Sequence, residues 1–481
     1  MELVTKKAMK CIQEADVIVY DNLIDISLLN YASLNTELIY AGKEAANHYL
    51  SQGSIIELLM DKAREGKYVV RLKGGDPYLF GRGSEEALAL KEAGISYEIV
   101  SGVTSSIAVP AYAGIPVTDR RFVSSCHIIT AHREDEAGID FENISKLEGT
   151  LVFMMGLAKL HHIVQGLTLH GKASDTPVAV LSDGSRYNRR KCVGTLADIE
   201  EKVKEAKLLP PAIIVVGEVV SLSNELDNFL ERYSDKKLFR KKILLTGTRY
   251  ICNKIKVALA DEGCDIDEIS IIESVPIESD FYNNIEKYIE SHDYLVFSSA
   301  NGIRVFFEKL KELHNVDLRK LSNIKFAVIG KGSAQTLRNY GYIADFVPSS
   351  FSNKDLAVEL CKQLKGEKLL LLRAREASAE LVEELEANKV EYTDVPLYET
   401  FRDYRRTFDI KRLIKNYDYV VVASSITAHT LCEMVEDKAL LEGRVVSIGP
   451  VTTGTCKRLG VEPLMSAREY SVDGIVRVLL Q

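Results

Sequence analysis

A chain of 481 residues is too long for one hydrophobic core, so several domains are expected. A net charge of −8, 8% aromatic residues and no tryptophan argue against a nucleic-acid partner, which needs clustered cations or stacking rings. The eight cysteines form no CxxC pair and no apolar run exceeds strand length, so no disulfide framework, zinc site or membrane span is expected.

From Met1 the chain enters a charged amphipathic stretch with no signal-peptide pattern, which predicts a cytoplasmic protein with free thiols. Apolar, β-branched runs at 17–20, 68–72, 151–153, 212–216, 243–246, 294–298, 326–330 and 419–424 alternate with amphipathic stretches. The alternation predicts an α/β fold with mostly parallel sheets, and the unbroken apolarity predicts helices on both faces. Run 17–20 ends in Asp21. Run 68–72 enters RLKGGDPYLFGRGSEE (71–86), where glycines at a strand end let the backbone approach a ligand and Ser84 is expected to cap the next helix. A softer break falls at 116–122. The charge-dense segment 221–242 reads as a helix and a basic linker, with the main boundary near residue 240. The adjacent His161 and His162 point apart on a helix, so no metal is assigned.

The second half contains a repeat. ILLTGTRY at Ile243 and LLLLRARE at Leu369 stand at the same spacing as the Ser-Ser turns at Ser298 and Ser424, and Ile-Gly turns follow at Gly330 and Gly449. Two similar α/β lobes are expected, with ligands at the carboxyl ends of their strands.

The motif at 71–86 resembles the signature of the uroporphyrinogen-III C-methyltransferase family, and VIVYDNL (17–23), YAGK (40–43), SGVTSS (101–106), AYAGIPVTDRR (111–121), VFMMGL (152–157) and TPVAVLSDGS (176–185) match that family in order. The resemblance implies that S-adenosyl-L-methionine lies against Gly74, Gly75, Asp76, Leu79, Thr104, Ser105, Met155 and Gly184. It implies Asp21 as proton acceptor and Lys43 as proton donor, with Arg82, Glu85 and Arg120 around a substrate that carries eight carboxylates. Helix capping by Asp21 and a solvated loop at Arg120 and Arg121 are the alternatives. The family has a first strand and a GxGPGD loop ahead of the helix that begins this chain, so either the start lies further upstream or a truncated chain is expected to lose cofactor affinity and stability of the first sheet. An active synthase fused to an impaired methyltransferase module is the alternative function.

The later segments TGTR (246–249), FSSANGI (297–303), VIGKGSA (328–334), LLRA (371–374), VPLYET (395–400), ASSITA (423–428) and IGPVTTG (448–454) together resemble the uroporphyrinogen-III synthase family. The resemblance implies closure of hydroxymethylbilane to uroporphyrinogen III without a cofactor. The substrate would be held by Thr248, Ser298, Ser299, Asn301, Ser333, Ser352, Ser424, Ser425 and Thr452, and Tyr398 would assist departure of the hydroxyl. The same hydroxyls also suit helix capping. The implied architecture is a two-lobed methylase domain over 1–225 (lobes about 1–117 and 118–225) and a linker at 226–241. A two-lobed synthase domain with parallel sheets follows over 242–481, its lobes about 242–275 with 401–481, and 276–400. Small-molecule tetrapyrroles are the expected partners, with a homodimer formed through the methyltransferase half.

Overall fold

Every strand of the first sheet is short and ends at the same edge. β1 (Val17–Tyr20) is wholly buried and lies between β2 (Glu37–Tyr40) and β3 (Val69–Leu72), both parallel to it. Tyr20 pairs with Tyr40 on one side and Leu72 on the other, so Asp21, the turn after Tyr40 and the glycine loop after Leu72 leave one sheet edge together. The structure, a computed structural model, describes residues 2–42, 50–132, 138–313, 317–350 and 352–481. Lys43 therefore lies outside the described residues.

The second sheet contains β4 (Cys126–Thr130), β5 (Thr150–Met154), β6 (Pro177–Ser182), β7 (Arg190–Thr195) and β8 (Ala212–Val216), in the order β4-β5-β8-β6-β7. β4 and β5 are parallel, whereas the β5–β8, β6–β8 and β6–β7 pairs are antiparallel. The sheet is thus mixed. Unbroken apolar runs report cover on both faces, which is independent of strand direction, and both faces here carry core clusters.

Two further sheets form from the repeat. β9 (Lys242–Leu245), β10 (Asp265–Glu268), β16 (Tyr419–Val422), β17 (Val445–Ser447) and β18 (Met465–Ser466) make a parallel sheet ordered β10-β9-β16-β17-β18. β11 (Ile272–Pro276), β12 (Tyr294–Phe297), β13 (Lys325–Val328), β14 (Leu369–Ala374) and β15 (Tyr392–Arg402) make the sheet β11-β15-β14-β12-β13, parallel except at β11. The two copies of the repeat interleave. β9 pairs with β16, and β14 pairs with β12, so each sheet joins the opening strand of one copy to the middle strand of the other.

The chain forms two compact units. One holds Met1–Ile269, Arg405–Ala423 and Met434–Gln481, and the other holds Ser270–Tyr404 and Ser424–Glu433. The first unit reaches past residue 240 because the Glu268 backbone bonds to Asn30 and Ser27, and the Arg405 and Arg406 side chains bond to Thr36 and Asn30. Among the described residues no helix is long and apolar enough to cross a membrane, and no cluster of His, Cys, Asp or Glu is placed to hold a metal.

Candidate active site

In the first unit the site is built at the common end of β1 and β3. The Leu23 amide donates to Asp21 Oδ1 (2.9 Å), and Arg71 Nη2 donates to Asp21 Oδ2 (3.3 Å). Arg71 is in turn fixed by the Leu72 carbonyl (3.0 Å) and by Glu86 Oε1 (3.4 Å). Lys73 Nζ and Gln52 Nε2 donate to the same Glu86 oxygen at 2.9 and 3.2 Å. Burial and the adjacent Arg71 guanidinium pull the Lys73 ammonium below the usual lysine range. Sequence reading missed this Arg71–Lys73–Glu86 cluster. Its signal was the pair of cations two residues apart at the end of an apolar strand, each needing a buried counter-ion.

The glycine loop is braced rather than free. Asp76 accepts from the Ser101 hydroxyl, the Gly102 amide (3.0 Å) and the Tyr78 amide (2.9 Å), and these bonds, led by Ser101, hold its carboxyl below the usual range. Gly75 has φ +77°, and a Cβ at Gly102 would overlap the Gly75 carbonyl oxygen. Asp76 therefore ties the loop to the segment that leads into the Ser105–Tyr112 helix. Thr104 caps that helix, its Oγ1 accepting from the Ser106 amide at 3.4 Å, and Ser105 opens it. Further along the same helix Val109 fills the space that a Cβ at Gly184 would need. Met155, half exposed at φ +55°, follows β5, against which this helix packs.

Gly75, Thr104, Ser105, Met155 and Gly184 are thus gathered around one helix, while Leu79 sits in the loop with its amide on the Asp76 carbonyl (3.3 Å). Exposed backbone at Gly74 and Gly75, a helix start and glycines where no side chain fits suit a flat, bulky cofactor. A cavity of about 240 Å³ lined by Gly184, Val109 and Arg189 adjoins that helix.

Arg82 and Glu85 form a bidentate pair with each other (2.8 and 2.8 Å), which holds the Glu85 carboxyl below its usual range. The helix expected to be capped by Ser84 begins at Gly83, with Arg82 in the left-handed region at the cap position. The cause is packing: Gly81 and Gly83 both lie on the Pro77 carbonyl, which turns the chain one residue early. Arg120 is exposed beside the Arg121–Asp119 ion pair (2.9 Å).

In the second unit Ser299 follows β12 and caps the Ala300–Glu312 helix, accepting from the Gly302 amide at 3.0 Å. Its Oγ lies 2.9 Å from Tyr398 Oη. Tyr398 is on β15 next to the register shift at Arg373/Ala374 and is 5% exposed. Burial raises its pKa above the ordinary phenol value, an effect the Ser299 bond partly offsets. Ser298 and Asn301 flank this cap, half buried. Ser333 is buried in the Lys331–Arg338 helix. Ser352 and Ser424 accept from the Asp355 and Thr427 amides (3.0 and 3.1 Å) as helix caps, and Ser425 opens the Ser425–Met434 helix.

Thr248 and Thr452 belong to the first unit, at the ends of β9 and β17. Both hydroxyls are buried, and neither has a hydrogen-bond partner among the described residues. Neither hydroxyl makes the capping bond that Ser299 and Ser424 make.

Two family models match the chain: Tetrapyrrole (Corrin/Porphyrin) Methylases over residues 1–200, and Uroporphyrinogen-III synthase HemD over residues 253–477. The porphyrin biosynthesis protein HemD of Ruminiclostridium josui is 35% identical over 486 residues, covering 100% of this chain and 95% of that protein. The uroporphyrinogen-III C-methyltransferase of Methanocaldococcus jannaschii is 49% identical over 46% of this chain and 92% of its own length. The S-adenosyl-L-methionine-dependent uroporphyrinogen III methyltransferase of Methanosarcina barkeri is 50% identical over 47% of this chain and 89% of its own length. With the end-to-end likeness to the Ruminiclostridium protein and one family model in each half, the chain belongs to the family that fuses a tetrapyrrole methylase to a uroporphyrinogen-III synthase, and it is a bifunctional enzyme of tetrapyrrole biosynthesis.

Proposed function

We propose that this enzyme closes hydroxymethylbilane to uroporphyrinogen III with inversion of ring D, and then methylates that product to precorrin-2 on the branch to siroheme or cobalamin. The observation that carries the reading is a proton-transfer group at a strand-end site in each half: Asp21 beside the glycine loop, and the buried Tyr398–Ser299 pair.

In ring closure the terminal hydroxymethyl group loses its hydroxyl as water and leaves a cationic methylene. Tyr398, kept protonated by burial, donates the proton to that departing oxygen, and Ser299 aims the phenol. The strand-end hydroxyls of the second unit fold the substrate's carboxylates.

In methylation S-adenosyl-L-methionine supplies the methyl group, as the name of the Methanosarcina relative supports. Gly74, Gly75, Leu79, Thr104, Ser105, Met155 and Gly184 would surround it, with Asp76 holding the loop in place. Asp21, aimed by Arg71, accepts the one proton that the cationic methylated ring must lose, which leaves the product neutral. Arg82, Glu85 and Arg120 are the substrate-facing groups, the Arg82–Glu85 pair opening to a carboxylate.

The test incubates the full chain anaerobically with hydroxymethylbilane and S-adenosyl-L-methionine and resolves products by isomer and mass. Isomer III carrying one or two added methyls is expected. Unmethylated isomer III rejects the methyltransferase reading, and failure to form isomer III rejects the synthase reading. Asp21→Asn is expected to abolish methylation while leaving ring closure intact.

A further inference from the structure

Asp21 is flanked on both sides by residues that a helix of the synthase half holds. The Thr407–Leu413 helix lies far along the chain but within the same compact unit. Tyr20 Oη donates to both oxygens of Asp409 (3.1 and 3.1 Å). Arg412 Nη2 donates to Asp409 Oδ1 (3.4 Å), and Arg412 Nη1 donates to Asn22 Oδ1. Tyr20, Asp409, Arg412 and Asn22 thus form a circuit that begins one residue before Asp21 and ends one residue after it. The same helix reaches the next strand. The Arg412 guanidinium lies 4.6 Å from the Tyr40 ring centre and Phe408 packs on Tyr40 at 5.0 Å, while Tyr40 packs edge-on against Tyr20 at 5.6 Å. Asp409 is fully buried, so these bonds are not screened surface pairs.

We propose that Asp409 and Arg412 are positioning residues for methyl transfer: the synthase half grips the Tyr20–Asn22 turn and so sets the direction of the Asp21 carboxylate. This rests on the reading of Asp21 as the base. The β1 ladder ends at Tyr20, whose carbonyl accepts from the Ala41 amide (2.7 Å), so beyond it the Asp21 turn draws on side chains for its geometry. The Leu23 amide fixes the carboxylate relative to the turn's own backbone, and Arg71 ties it to β3. The circuit fixes that backbone. Fusion then does more than tether two enzymes, since one half completes the scaffold of the other's site.

The test uses the full chain with Arg412→Gln, Arg412→Lys, Asn22→Ala and Asp21→Asn. Each is assayed for methylation of supplied uroporphyrinogen III, for affinity toward S-adenosylhomocysteine, and for ring closure of hydroxymethylbilane. For Arg412→Gln, kcat for methylation is expected to fall about tenfold to a hundredfold, the loss typical of a misaimed reacting group. Cofactor affinity and ring closure are expected to stay within about twofold. Asn22→Ala, which removes only the acceptor, is expected to move kcat the same way, and Arg412→Lys to recover part of the loss. Unchanged kcat in both Arg412→Gln and Asn22→Ala overturns the proposal, as does an equal fall in all three measurements. If Asp21→Asn is inactive while those two variants are fully active, the base stands and the positioning role fails. If Asp21→Asn still methylates, the base assignment fails and the proposal fails with it.

Discussion

Tyr398 shows how burial decides what a residue can do. An exposed tyrosine near a leaving hydroxyl would share its proton with water. Here the phenol is buried beside a register shift in the sheet, within hydrogen-bond distance of the helix-capping Ser299. Desolvation favours the neutral form, so its pKa lies above the ordinary 10.0 and the phenol keeps its proton throughout the working range. Tyr398→Phe is expected to slow formation of isomer III about a hundredfold or more while leaving methylation of supplied uroporphyrinogen III intact. The sign of the pH effect follows from the raised pKa: the active, protonated form persists below it, so the wild-type rate has no alkaline limb from this group up to about pH 10. A limb near pH 8 would exclude Tyr398 as the acid. Tyr398 was legible in the sequence through its motif, but its partner was not: Ser299 lies ninety-nine residues earlier, and nothing local links them.

At the scale of the element, the glycine loop and the Ser105–Tyr112 helix act as one piece. Gly102 has an ordinary backbone, so its role is clearance, since its Cα hydrogens leave room for the Gly75 carbonyl. Gly102→Ala is expected to push the loop away from the helix, strain the Asp76 bonds, and cost about 1–3 kcal/mol as an overpacked contact. The predicted readout is weaker S-adenosylhomocysteine binding by calorimetry with unchanged ring closure; full affinity would show that the loop's position is not set by this contact. The glycine-rich string itself was plain in the sequence, because strand-end glycines announce a close backbone approach. The start of the next helix was misjudged by one residue, since Ser-Glu-Glu has the composition of a cap while the observed turn depends on Gly81 and Gly83 meeting the Pro77 carbonyl. The motif pointed to Asp76 but not to its partners Ser101 and Gly102, which lie twenty-five and twenty-six residues on.

At the scale of the whole molecule, segment 401–413 read in sequence only as the start of a synthase-lobe segment, because its meaning lies in partners almost four hundred residues away. Arg406 and Asp409 are 1% and 0% exposed and pair at 3.2 Å. Arg406 also donates to Asn30 Oδ1 (2.6 Å) and to the Ile26 carbonyl (3.2 Å), both in the methyltransferase half. Periodicity could not reveal this, since a charged residue at a helix position normally signals solvent. The energetics make the pair diagnostic. Removing one partner leaves an uncompensated buried charge, which costs about 3–5 kcal/mol, whereas replacing both by apolar residues of similar size is nearly neutral. Asp409→Ala is therefore expected to lower the melting temperature of the first unit by several degrees, and Arg406→Met combined with Asp409→Leu to restore most of it. The double variant still lacks the Asp409 oxygens that hold Tyr20 and Arg412, so it separates stability from aim. It should melt near the wild type and yet methylate slowly, with ring closure retained. A double variant that melts near the wild type and methylates at the full rate would leave the buried pair a purely structural link between the two halves.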